Sequence, residues 1–247
     1  MKVSSLGLCL ALSWLALGVR AQSPNQSLKI LKPTLGSRND YSKAEQAAWE
    51  KALATNAQLE AGKLSYEKLP KGERQRIDQL EDGAGPLTQG PGCSWYCGGQ
   101  MYKVTASSQL QNKDAYKPDN LHDFSLLTAW VPNTAAGVIG QRISFYFKPL
   151  SPRVNQITIY NGYLKNQELY QANARVRKFK LYLNGTYYAT LELADTSAAQ
   201  TFSIAPVRST VKGKDLVLTL EIQEVYKGDK YPDVAVSEIN FSGLDVH

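Results

Sequence analysis

Two periodicities divide this 247-residue chain. Over residues 42–81 the apolar side chains recur at helical spacing, and from Tyr102 onward they alternate with polar ones as strands require. Ser42, followed three positions later by Glu45, makes a capping box. Ala47, Ala48, Leu53, Ala54 and Leu59 then keep helical spacing until Gly62 stops the run, which predicts a helix over 42–61. A second helical stretch over 66–81, interrupted at Pro70-Lys71-Gly72, has Leu69, Ile77 and Leu80 as its few large apolar residues. So small a pair buries little surface, so residues 42–82 are expected to lie against the rest of the chain or a protein partner.

In the second part, Ile143, Phe145 and Phe147 alternate with Ser144 and Tyr146, and Val154 opens a run that continues through Ile157 and Ile159. Leu216, Leu218, Leu220 and Ile222 alternate with Val217, Thr219, Glu221 and Gln223. Strand-like runs over 179–183 and 187–193 flank Asn184-Gly185, the strongest hairpin signal in the chain, and a last strand is expected over 234–241. These strands predict a mainly β fold, an antiparallel sandwich of about 150 residues. Residues 22–39, with Pro24, Pro33 and Gly36, read as an extended leader, and the Gly- and Pro-rich stretch 82–92 as a linker.

The N-terminus adds a compartment. Lys2 is followed by a short apolar run over 6–17 and by Val19-Arg20-Ala21, the form of a cleavable export signal over residues 1–21. The run is shorter than the roughly 20 apolar residues of a membrane span, so no transmembrane segment is expected. The chain thus divides into a signal (1–21), a helical extension with its linker (22–92) and a sandwich (93–247), secreted or periplasmic. With Cys9 lost in the signal, Cys93 and Cys97 remain, and an oxidising compartment favours a short disulfide loop between them. Zinc would need about four ligands, and His122 and His247 are the only histidines.

Charge and chemistry exclude more than they assign. Without Lys2 and Arg20 the formal net charge falls from +6 to +4, and the basic run Arg175-Val-Arg-Lys-Phe-Lys180 alternates as a half-buried strand, so no nucleic acid is expected as partner. No arrangement of histidine, thiol or carboxylates stands out as catalytic, and no enzyme activity is expected. Asp123 and Thr128, in a tight turn before Trp130, bring oxygen ligands that suit calcium; the same Asp123 also serves as a cap of its own turn. Trp95, Tyr96, Tyr163, Tyr170, Tyr226 and Tyr231 fall in or near turns, where flat rings stack on sugars, with Asn161, Lys165 and Arg175 placed to bond hydroxyls. Tyrosines also tuck over sandwich edges with their hydroxyls on carbonyls, which is the competing reading of each ring.

Several motifs together resemble a known superfamily. Thr105-Ala-Ser-Ser108, Asn120-Leu-His-Asp123 with Thr128-Ala-Trp130, Gly140-Gln-Arg-Ile-Ser-Phe145 and Val236-Ser-Glu-Ile-Asn-Phe241 resemble the discoidin-like jelly rolls, which include coagulation-factor C-type domains and bacterial carbohydrate-binding modules. Ile159-Tyr-Asn-Gly-Tyr-Leu-Lys-Asn166, residues 177–185 and Glu224-Val-Tyr-Lys-Gly-Asp-Lys-Tyr231 are similar to the discoidin-like domain named for the translocation region of bacterial NAD glycohydrolases. The resemblance implies a jelly-roll sandwich that binds through one loop end, and a structural calcium held by turn carbonyls, Asp123, Thr128 and Glu238. Phe124 and Ser125 depart from it, standing where relatives often carry Gly and an acidic or amide residue. The expected role is a non-catalytic module for a glycan or other cell-surface ligand. The alternative is a structural or delivery protein that docks onto a partner through its helices.

Overall fold

The computed structural model describes residues 29–37, 42–81, 101–112 and 114–245. The signal segment, Cys93, Cys97, Trp95 and Tyr96 lie outside them. Among the described residues ten strands run in chain order: β1 (Ile30–Leu31), β2 (Thr34–Leu35), β3 (Met101–Ala106), β4 (Arg142–Phe147), β5 (Val154–Asn161), β6 (Arg175–Leu183), β7 (Thr186–Glu192), β8 (Gln200–Val207), β9 (Leu216–Tyr226) and β10 (Val236–Gly243). They form a six-stranded sheet of order β1-β7-β6-β9-β4-β3 and a four-stranded sheet of order β10-β5-β8-β2. All pairings are antiparallel except β1 with β7.

The alternation read in the sequence is what closes the sandwich. Ile143, Phe145 and Phe147 of β4 and Leu216, Leu218, Leu220 and Ile222 of β9 face Ile157 and Ile159 of β5, Phe202 of β8 and Phe241 of β10 in one core, all nearly sealed from solvent. Phe241 meets Phe145 and Phe147 edge-on at 4.8 and 5.1 Å. Trp130 is fully buried, donates from Nε1 to the Ser108 carbonyl at 2.9 Å and bridges to Val236. Asn184, at φ 48°, opens the two-residue β6–β7 turn, and its side chain accepts from the Val217 amide at 2.8 Å.

The helical pair forms as the capping box predicts. Helix α1 is Lys43–Glu60, with Ser42 and Glu45 capping each other, and α2 is Lys71–Glu81, beginning directly after Pro70. They meet through Ala52, Ile77 and Leu80. Helix α1 reaches the sandwich at its start: Gln46 donates to the Lys165 carbonyl, and Lys43 pairs with Glu168. Among the described residues no helix is long and apolar enough to cross a membrane.

Two elements differ from expectation. The leader is not merely extended: β1 pairs with β7 and β2 with β8, so this segment joins the edges of both sheets and belongs to the sandwich. Strand β8, an internal strand of the smaller sheet, was not expected either.

Candidate functional site

The 3-10 turn Pro118–His122 lies over β10 and ends on Asp123. Asp123 accepts from Thr128 Oγ1 at 2.7 Å and from the Ser125 amide at 3.0 Å, so it caps its own turn. Phe124 completes the turn at φ 60°, a left-handed conformation unusual for a bulky side chain, with its ring 4.8 Å from that of His122. This backbone geometry explains why glycine suits the position.

Beneath the turn sits Glu238 of β10, fully buried and facing the Asp123 carboxyl and the amides of Asp123 and Phe124, with no well-aligned hydrogen bond to either carboxylate oxygen among the described residues. Burial, and then the negative charge of Asp123, push its carboxyl up to about 10. Burial also raises Asp123, and it lowers His122 to about 4. His122 Nδ1 lies 3.1 Å from the Ile239 carbonyl and 3.7 Å from Glu238 Oε1, so the imidazole is neutral and offers Glu238 no countercharge. A buried carboxylate facing a second carboxylate, with only the Asp123 and Phe124 amides to offset its charge, favours a proton or a cation. Among the described residues no three His, Cys, Asp or Glu side chains converge in metal-binding geometry. Any cation here would have to be a hard one that also took the Thr128 hydroxyl and turn carbonyls.

The second feature is a groove of about 290 Å³ at the end of the sandwich where β5 and β9 finish. Tyr116, Tyr163 and Tyr231 line it, over Leu110, Val131 and Leu169, with Asn173 and Asp233 as polar members. Tyr163 is fixed from both sides, because Ser237 Oγ donates to the Gly162 carbonyl at 3.0 Å and accepts from the Leu164 amide at 3.0 Å. Burial, and then Tyr116, raise the Tyr163 phenol. Tyr231 is held by its amide on the Ala172 carbonyl at 2.8 Å, at the end of α3 (Gln167–Ala172). That approach needs Gly228, since a Cβ there would come within 2.4 Å of the Asn173 backbone.

Of the ring and polar positions expected to bind, Tyr163 and Tyr231 come together here. Asn161, Arg175 and Tyr170 do not. Asn161 is buried, and its amide bonds the Val176 backbone in both directions. Arg175 is buried and spends its guanidinium on Asp195 and on the carbonyls of Tyr170 and Asn173. Burial opposes the charge of Arg175, but Asp195 outweighs it and the guanidinium is raised. Tyr170 packs beside Tyr160 and Leu164 with its hydroxyl on Asp195. These three support the loops from below and present no free edge to a ligand, a correction to their expected role. Tyr226 bonds the Leu193 carbonyl at 2.9 Å under Arg177, away from the groove lining, and Lys165 is half-buried beside α1. Tyr116 joins the groove with no signal in the sequence beyond the turn marked by Asp114 and Pro118.

No curated protein is similar enough to count as a relative. Among solved structures, the chain resembles the CBM32 module CpGH89CBM32-5 from Clostridium perfringens, in complex with GalNAc-β-1,3-galactose, at 15% identity and TM-score 0.41, covering 56% of this chain and 93% of that one. It also resembles the CBM32 of AlyQ in complex with 4,5-unsaturated mannuronic acid, at 18% identity and TM-score 0.41, covering 58% and 95%. Against the R1389S mutant of the mycobacterial arabinofuranosyltransferase AftD the values are 15% and 0.43, and 59% of this chain spans only 11% of that one. The family model for the NAD glycohydrolase translocation F5/8 type C domain matches residues 95–242, more than half of the chain, and the two-sheet architecture agrees with it. The chain thus belongs to the NAD glycohydrolase translocation F5/8 type C domain family.

Proposed function

We propose that this chain is an exported, non-catalytic binding module whose Tyr116–Tyr163–Tyr231 groove takes a glycan of a cell surface. The observation that carries this reading is the meeting of three tyrosines from three separate loops in one concave place. Aromatic faces stack on the C–H faces of sugars, and Asn173 and Asp233 supply hydrogen-bonding groups beside them. A calcium ion held by Asp123, Thr128 and Glu238 would neutralise the buried carboxylate and stiffen the turn under Trp130. The test is a glycan array probed with the wild-type chain and with Tyr163→Ala and Tyr231→Ala proteins of matched melting temperature. Saccharide binding lost in both variants supports the reading, and a wild-type chain that binds no saccharide overturns it.

A second reading, delivery by docking onto a partner protein, is favoured by the translocation domain in the family description and by the contact of α1 with the groove-bearing loop. Removing residues 42–82 separates the two readings: docking through the helices is lost, and saccharide binding persists.

A further inference from the structure

Beyond Tyr231 lies a second hollow of about 370 Å³, and this ring lines both. Its chemistry differs from that of the first. Val138, Ala174, Val225 and Pro232 give it apolar walls, and Lys227 and Lys230 stand against the single carboxylate of Asp229. Val138 and Val225 are packed on the core from behind, so the walls are backed by fixed structure. Lys230 Nζ stands 5.1 Å from the centre of the Tyr231 ring, at the boundary between the two hollows. Two lysines beside one carboxylate leave this hollow net positive, whereas the tyrosine groove is lined by Asp233 and no cationic side chain. A unit that carries both a short acyl group and an acid fits it: the acyl methyl meets the valines and the carboxylate meets the lysines.

Building on the reading that the tyrosine groove takes a glycan, we infer that the ligand continues across Tyr231 and ends in an acidic, N-acylated sugar seated between Val138, Val225 and the two lysines. The test uses matched pairs of immobilised glycans, each neutral glycan beside the same glycan extended by terminal N-acetylneuraminic acid. Its arms are the wild-type chain, Lys227→Gln/Lys230→Gln, the near-isosteric Val138→Thr, and Tyr163→Ala. Wild type is expected to bind the extended members about tenfold more tightly, an advantage that shrinks with added salt. The double lysine variant should bind both members of a pair equally, Val138→Thr should lose part of the advantage, and Tyr163→Ala should bind neither. Equal binding of the two members by wild type, or an advantage that survives the lysine changes, overturns this inference and leaves the tyrosine groove standing. Absence of binding to every glycan overturns both.

Discussion

Arg175 and Asp195 form a two-pronged ion pair under the loop end, Nε to Oδ1 at 2.7 Å and Nη2 to Oδ2 at 3.2 Å. The remaining donor of this buried guanidinium, Nη1, reaches the carbonyls of Tyr170 and Asn173, each at 2.8 Å. One side chain therefore ties α3, which carries Leu169 and leads to Asn173, to the loop that holds Asp195. Arg175→Met should cost about 2–3 kcal/mol, because two buried carbonyls lose their donor. Asp195→Asn, at the half-exposed end of the pair, keeps an acceptor for the guanidinium and should cost less than Arg175→Met. Denaturant titration of the two variants gives both values, and equal costs would show that the carbonyl bonds contribute nothing.

Glu238 makes the sharpest prediction about calcium. Its carboxyl is raised in the fold from 4.5 to about 10, so without metal the stability it contributes is full below 4.5 and is lost as pH rises toward 10. In chelator the melting temperature should fall between about pH 5 and about pH 9, and Glu238→Gln should flatten that fall. Calcium should restore the wild type at the upper end and leave the Gln variant unmoved. A wild-type melting curve indifferent to calcium at every pH would remove the cation from this corner.

Gly228→Ala would place a methyl group on the Asn173 backbone, so the loop bearing Tyr231 must move. Saccharide binding should fall at least about tenfold while the core melts within a few degrees of wild type. Unchanged binding would separate Tyr231 from the site.

The leader predicts a local effect. Thr190 donates its amide to the Lys29 carbonyl at 2.8 Å, and Gly36 donates to Ala199 at 2.8 Å. Removing residues 22–37 should speed hydrogen exchange at Thr190, whose acceptor is lost, and leave β4 and β9 protected. Protection unchanged at Thr190 would mean that the leader does not form this edge in solution.

What the chain reveals unaided follows the range of the interactions involved. Ser42 and Glu45 are three residues apart, and Asn184-Gly185 is one turn, so their structures can be read locally. The leader strands are two residues long, separated by Pro33, and pair with residues more than 150 positions away, so no periodicity announces them. In β8 the alternation of Phe202 and Ile204 is short and runs into Pro206. Asn161 and Arg175 have the composition of ligand-binding groups, and only the packing of neighbouring loops shows their polar atoms already taken. Tyr116 lies 47 residues before Tyr163 and 115 before Tyr231, and only the folded sandwich gathers the three.

The tyrosine rings themselves offer the most direct measurement. In a titration of isotope-labelled protein with the strongest saccharide on the array, the ring resonances of Tyr116, Tyr163 and Tyr231 should shift together. Those of Tyr146, Tyr182 and Tyr187, on strands of the six-stranded sheet, should stay in place. Shifts confined to those sheet tyrosines, with the groove rings unmoved, would contradict recognition at the loop end.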